Sequence, residues 1–453
     1  MSKQQRLVLV VSILASFVGA IDGFIVNIAL PAISRSLGGG LTVQQWTVDG
    51  YLLTLGALIL VAGSLSDVFG RKRILQIGLW WFGIASLLCA VAPNGAFLVS
   101  ARIFQGVAGA LLVPSSLAII ISAFSGPAQS KAIGIWTAWF SMSSILGPIL
   151  GGVLIAAAGW RLIFIVNVIP IAVTLVLLRR LALAEAVPAK PHIDWPGVIL
   201  CALGLAGLVF GFIEQPSYGW MAARTGVPLG VGAVLLGAFL WWERHTPAPV
   251  LTLSLFRRRN FSWGNIATAM IYAGLSISSF IIVVTLQQVG GYSALQAALA
   301  MLPTSVLMFA LSGRFGSLAG RYGPRWFMTL GPVVAALGFL LMLRVQPHVR
   351  YLADLFPGVV LFGVGLSMTV APLTAAILGC VEPKHAGIAS AVNNAVARIA
   401  GLIGVALIGL MVGEKIAIAG FHRTLVVVAA LLLLGGIVSA IGIQNPKQGE
   451  DLV

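Results

Sequence analysis

Residues Leu425–Ile443 read LVVVAALLLLGGIVSAIGI, nineteen positions with no charge and one hydroxyl, Ser439. A helix of that length rises about 29 Å, close to the ~30 Å hydrocarbon core of a bilayer. The same signature recurs along the chain. Of 453 residues, 59% are apolar and 9% charged, and the mean hydropathy is +1.04. Soluble domains carry nearer 25% charge. A soluble enzyme, a disordered chain and a nucleic-acid-binding domain are therefore excluded as readings, despite a net charge of +15. The basic residues sit in short loops between apolar runs, not in a patch. Runs this long also argue against a transmembrane β-barrel, whose strands alternate over about ten residues. Cys89, Cys201 and Cys380 lie in or beside the runs, so no disulfide framework is expected.

The pattern predicts an all-α integral membrane protein with fourteen transmembrane helices, at about 7–30, 43–65, 73–92, 96–120, 131–156, 160–178, 195–214, 226–243, 261–287, 294–316, 325–344, 351–378, 387–411 and 423–443. At about 20 residues each these use about 280 residues, which leaves no separate soluble domain. The first run carries Asp22 and precedes many others, so it reads as a retained helix and not a cleaved signal peptide. An even number of spans puts both termini on one side. With the N-terminus in the cytoplasm, the inside segments hold 18 Lys and Arg and the outside segments 7, while Arg102 and Arg398 fall within spans. The positive-inside rule then predicts a cell-membrane protein with both termini cytoplasmic.

An internal repeat sets the domain organisation. Gly63-x-Leu65-x-Asp67-x-x-Gly70-Arg71-Lys72 follows the second span, and Gly316-x-Leu318-x-Gly320-x-x-Gly323-Pro324-Arg325 follows the tenth. Two duplicated six-helix bundles are expected, at 1–178 and 261–453. Residues 179–260 read as a linker carrying the two extra helices, 195–214 and 226–243.

Charges at membrane depth are the informative ones, because each costs about 2.5–3.5 kcal/mol at a helix centre. Asp22 lies about fifteen residues into an outward-running span and Arg102 about six into an inward-running one, so both fall in the outer half and could pair. The pair reads either as a static tie between helices or as a switchable proton site, in which withdrawal of the arginine leaves Asp22 to take up a proton. Arg398 has Asn394 one turn away on its own helix. It reads either as bound to carbonyls or water, or as a reader of an anionic substrate group. Asp49, within Trp46-Thr47-Val48-Asp49-Gly50-Tyr51, places an acid beside aromatic rings. That grouping suits an organic cation, although interfacial aromatics and a helix cap explain it equally. Gly147-Pro148-Ile149-Leu150-Gly151-Gly152 combines a kinking proline with glycines at four-residue spacing, which gives tight packing or a bendable gate.

Enzyme motifs do not occur. No phosphate-cradling or dinucleotide loop is found, the five histidines are scattered without metal-ligand spacing, and no Ser or Cys has a nearby His partner in sequence.

Taken jointly, these residues resemble the major facilitator superfamily, specifically its 14-span drug:proton antiporters, over nearly the whole chain. Gly63–Arg73 resembles the family's cytoplasmic loop motif, and Arg102-Ile103-Phe104-Gln105-Gly106 its fourth-span motif. Gly147–Gly152 resembles the fifth-span antiporter motif, with Ser143 where a leading Gly is expected. Ile21–Pro31, Trp160-Arg161-x-x-Phe164-x-x-Asn167-x-x-Pro170, Leu286-Gln287, Gly291-Tyr292-Ser293, Leu302-Pro303 and the Asn394/Arg398 pair are similarly typical. Trp46-x-x-Asp49-x-Tyr51 is similar to the second span of quaternary-ammonium exporters. Those exporters also use acids in the second bundle, whereas spans 294–316 and 387–411 contain none here.

The resemblance implies a non-enzymatic, proton-coupled efflux antiporter that exports lipophilic monocations or neutral drugs by alternating access. The alternative is a dedicated exporter of a natural product or lipid, an anionic one included. No cofactor is implied beyond the proton gradient, and the partners are a small-molecule substrate, protons and the bilayer, in a single working chain. Asp22 and Arg102 would couple the proton. Trp46, Asp49, Tyr51, Gln287, Asn394 and Arg398 would contact substrate, with Tyr272, Phe280, Met301 and Phe309 as apolar wall. Gly63, Asp67, Gly70, Arg71, Gly147, Pro148, Gly151 and Gly152 would gate.

Overall fold

A computed structural model describes residues 2–124, 126–181, 194–247, 249, 251, 253–381, 386–413 and 416–445. It is helical throughout, with no strand among the described residues. Twelve helices among those residues are long and apolar enough to cross a membrane.

The chain divides into two compact units, Met1–Val250 with Tyr292–Ala298, and Leu251–Gly291 with Leu299–Val453. The first contains α1 (Lys3–Leu37), α2 (Gly40–Phe69), α3 (Arg71–Ala90), α4 (Gly95–Ala123), α5 (Gly126–Ala158), α6 (Leu162–Ile165), α7 (Val168–Arg179), α8 (Trp195–Tyr218) and α9 (Ala223–His245). The extra pair α8 and α9 belongs to this unit, where Trp46 of α2 meets Phe210 of α8 with ring centroids 6.0 Å apart. The second unit holds α10 (Arg259–Gln288), most of α11 (Ala294–Tyr322), α12 (Pro324–Leu341), α13 (Phe356–Leu378), α14 (Ala386–Ala406), α15 (Ile408–Val412) and α16 (Ile418–Gly442). The run that opened the sequence reading is the body of α16.

Two predicted spans are broken helices. Span 160–178 is interrupted between α6 and α7 around Asn167. The cause is Pro170, which has no N–H to give the carbonyl of Val166. Span 387–411 is interrupted at Leu407, between α14 and α15.

Apolar side chains do not drive helices together inside lipid, so close backbone approach has to do so. The α12–α13 seam shows this. A Cβ added to Gly338 would lie 2.6 Å from the Gly358 carbonyl oxygen, and one added to Gly365 would meet the backbone of Ala335. The repeat also has a backbone cause. The turn between α2 and α3 rests on Gly70 at φ 92°, and that between α11 and α12 on Gly323 at φ 85°, a region that L side chains rarely adopt.

Gly338→Val is expected to destabilise the second unit by about 1–3 kcal/mol, through overpacking at the α12–α13 seam. Thermal unfolding in detergent checks this, and an unchanged midpoint would count against the seam.

Candidate functional site

The site begins with one carboxylate. Asp22 is fully buried midway along α1. Its Oδ2 accepts from Arg102 Nη1 of α4 at 2.5 Å. Its Oδ1 accepts from Gln105 Nε2 at 3.0 Å and from Asn167 Nδ2 at 2.8 Å. Arg102, 1% exposed, also donates from Nη1 to Gln105 Oε1 at 2.6 Å and from Nε to the Thr47 carbonyl at 2.9 Å. Gln105 Nε2 reaches Ser86 Oγ of α3 at 2.9 Å. The expected Asp22–Arg102 pairing is therefore present, as the centre of a network drawn from α1, α2, α3, α4 and the α6–α7 break.

Each partner is placed by local geometry. Gln105 follows Arg102 by three residues, so both side chains leave the same face of α4. Asn167 sits where Pro170 breaks the helix, which frees it to turn inward. Gly106 and Gly109 have no side chain, so Tyr51 of α2 packs directly onto α4. The Tyr51 ring then lies 4.3 Å below the Arg102 guanidinium. Charge, hydrogen bonds and ring quadrupole together replace the water these ions gave up.

The predicted cation mouth is not one surface. Tyr51 is buried beneath Arg102, Trp46 turns to Phe210, and Asp49 is fully buried, not at an open end. Residues 46, 49 and 51 cannot share one narrow helix face at 100° per residue. Neither carboxylate oxygen of Asp49 has a hydrogen-bond partner among the described residues.

In the second unit, Gln287 is buried near the end of α10. Asn394 is exposed and donates to the Ser390 carbonyl at 3.0 Å. Arg398 is half-buried, within electrostatic range of Tyr272. Two of the four wall candidates are displaced. Phe280 is packed in the core at 1% exposure, and Phe309 stands 62% exposed. Tyr272 and Met301 are half-buried. Sequence reasoning passed over Asn393, which donates to Asn265 Oδ1 at 3.1 Å and Thr268 Oγ1 at 2.8 Å and ties α14 to α10.

Among the gating candidates, the surroundings of Gly63 and the side chain of Asp67 lie outside what is described. Arg71 donates from Nη1 to the Ala118 carbonyl at 3.0 Å. Gly147 and Gly151 press on α1, where an added Cβ would lie 2.9 Å from Phe24 Cβ and 2.7 Å from Ile25 Cγ1. Pro148 lies within α5 between them. Gly152 leaves room for the backbone of Leu295, in the segment 292–298 of the same unit.

The first unit thus holds a polar network sealed among apolar helices long enough to cross a membrane, the build of a helical membrane protein. The sequence matches the Major Facilitator Superfamily over residues 12–405 and again over 315–451. The chain belongs to that superfamily. It is 34% identical over 408 residues to a probable actinorhodin transporter of Streptomyces coelicolor, covering 88% of this chain and 70% of that protein. It is also 34% identical over 411 residues to the multidrug resistance protein Stp of Mycobacterium tuberculosis (90% and 76%). To the methylenomycin A resistance protein of Bacillus subtilis it is 32% identical over 410 residues (89% and 87%). The fold resembles a bacterial homologue of the lysosomal transporter Spinster, with TM-score 0.71 and 14% identity over 97% of both chains. The xylose transporter XylE of E. coli follows at TM-score 0.66, also 14% identical over 97% of both chains.

Removing one partner of the buried pair should cost more than removing both. Arg102→Gln is expected to lower stability by about 3–5 kcal/mol, and addition of Asp22→Asn to recover part of that loss. Thermal unfolding of the two single variants and the double variant measures the coupling. Additive losses would show that the two side chains do not act together.

Proposed function

We propose that this chain is a proton-coupled efflux antiporter that exports amphipathic small molecules, lipophilic monocations or neutral drugs, by alternating access. The observation that carries the reading is the sealed Asp22–Arg102 network. A membrane-depth charge is costly to keep unless it is used, and this one is set among neutral donors that serve a carboxylate. If Arg102 withdraws, Asp22 is left as an uncompensated buried charge, and a proton replaces the lost cation. Carriage of that proton inward while substrate leaves would drive export. The relatives named for drug and antibiotic resistance support efflux as the direction.

The architecture that goes with this reading has fourteen spans, with α2 (Gly40–Phe69) and the whole of α5 (Gly126–Ala158) added to the twelve helices above. The excess of basic residues in alternate loops supports cytoplasmic termini in the cell membrane, and a single chain is read as the working unit. Residues 1–178 and 261–453 are read as the transporting bundles, with α8 and α9 as additions. Gly147, Pro148, Gly151 and Gly152 serve as a packed hinge between α1 and α5, and Gly63, Asp67, Gly70 and Arg71 as a loop latch. Asp49 is the second acid of the cycle. Its enclosed carboxylate needs a counter-charge, which a substrate cation supplies once the helices around it part.

A second reading rests on α14. The sequence places Arg398 in a span with no Asp or Glu, and a dedicated exporter of an anionic natural product or lipid would use that cation, with Gln287 and Asn394, to read its cargo. The similarity to a probable actinorhodin transporter favours the same direction.

Addition of a monovalent lipophilic cation to reconstituted protein is expected to release protons from wild type and none from Asp22→Asn. Binding without proton release would sink the coupling assignment. Absence of binding would favour the anionic cargo. Asp49→Asn is expected to weaken export of that cation about tenfold while sparing a neutral substrate, and equal losses on both would remove Asp49 from cation recognition.

A further inference from the structure

Among the described grooves, one in the first unit is lined by none of the side chains of the Asp22 network. It has a volume of about 260 Å³ and runs between α3 and α7. Trp80, Ile84 and Leu87 form one wall, at i, i+4 and i+7 on α3. Val168, Ala172, Leu175 and Val176 form the other, along one stripe of α7. Gly83 opens the floor, which is closed by the buried Ile171. Trp80, Ile84 and Val176 are each just over half exposed, at 52–53%, so none of the described residues covers the groove. It extends along the twelve residues of α7, from Val168 to Arg179, roughly 16 Å at 1.5 Å per step. That matches the ~15 Å hydrocarbon depth of one leaflet, half of a ~30 Å core.

The groove has a charged end. Arg179 lines it directly, in the last turn of α7. Arg180 follows, and Lys72 Nζ donates to the Leu181 carbonyl at 2.6 Å, which draws the start of α3 against the end of α7. Arg73 is thereby brought to the same end. Arg71 and Lys72 are occupied with carbonyl oxygens, whereas Arg73, Arg179 and Arg180 are exposed. Neither α3 nor α7 contains an Asp or Glu. An apolar slot one leaflet deep that ends in exposed arginines is complementary to a molecule with a hydrocarbon tail and an anionic head. Basic pockets between membrane helices recognise lipid headgroups on this principle.

We propose that the α3–α7 groove is a specific site for an anionic phospholipid. An acyl chain lies along Trp80, Ile84, Leu87 and Val176, and the phosphate rests on Arg179, with Arg73 and Arg180 beside it. On the orientation proposed above, the headgroup lies in the cytoplasmic leaflet, where anionic lipids concentrate. The site does not depend on the transport reading.

Native mass spectrometry of the full-length protein, titrated with phosphatidylglycerol or phosphatidylcholine, tests the assignment. Wild type is expected to bind phosphatidylglycerol about tenfold more tightly. Each of Arg73→Gln, Arg179→Gln and Arg180→Gln should weaken that binding by up to about fivefold, the effect of one basic group at an anionic surface. Arg179→Lys, which keeps the charge, should preserve most of it. Gly83→Leu, which projects a side chain into the slot, should weaken both lipids. Equal affinity of wild type for the two lipids, or undiminished preference in the Arg73→Gln, Arg179→Gln, Arg180→Gln triple variant, would overturn the proposal. Lipid binding measured this way is separate from proton release, so failure of one reading leaves the other standing.

Discussion

The first unit is organised around the ion pair between Asp22 and Arg102. Each ion taken out of water costs several kcal/mol even after relaxation, and mutual attraction alone repays this only with good geometry and further hydrogen bonds. Those bonds are supplied here by Gln105, Asn167 and the Thr47 carbonyl, with the Tyr51 ring beneath the guanidinium. Partners therefore come from α2, α4 and the α6–α7 break. A shift of any one of these helices against α1 alters how well the charge is met. Position in the bundle and the hydrogen bonding of Asp22 are thus coupled by geometry.

Such coupling needs helices that approach closely without being glued by the hydrophobic effect, which is weak between helices in lipid. Glycine provides the approach. Gly106 and Gly109 let Tyr51 reach α4, and Gly147 and Gly151 let α5 lie on α1 just below Asp22. The α5 glycines follow Asp22 along α1, at Phe24 and Ile25. The helix that carries the proton candidate is consequently in contact with the bendable, proline-containing α5, so motion there reaches the network in one step.

The fold was largely legible because its signal is local. Long uncharged runs, positive-φ glycines at Gly70 and Gly323, and a repeated loop motif each report on a few neighbouring residues. Asp22 and Arg102 were legible because charge is rare in lipid. Gln105 and Asn167 stood within quoted motifs but were given no site role, and Ser86 was not noted, since neutral polar residues are common in membrane helices. The signals existed: Gln105 stands one turn from Arg102, and Pro170 marks the break that turns Asn167 inward. The aromatic mouth at Trp46, Asp49 and Tyr51 failed for the opposite reason. Adjacency in sequence was taken for adjacency in space, and a helix sends those three side chains to different neighbours. Phe280 and Phe309 failed because an apolar residue on a membrane helix faces core, cavity or lipid with no sequence mark to distinguish them.

The chemistry of protonation adds a constraint on how the network can change. An ionised carboxylate only accepts hydrogen bonds, whereas a protonated one must also donate. Arg102 offers only donors. Gln105 Oε1 is already engaged by Arg102 Nη1 at 2.6 Å. Asn167 differs, because its Nδ2 serves Asp22 while its Oδ1 has no hydrogen-bond partner among the described residues. Rotation of that amide by a half-turn exchanges donor for acceptor at nearly the same place. A proton taken up by Asp22 would then meet the Asn167 Oδ1 as an acceptor. On the antiporter reading, the break at Pro170 thus does more than shorten a helix: it supplies an acceptor for the proton that Asp22 takes up as Arg102 withdraws.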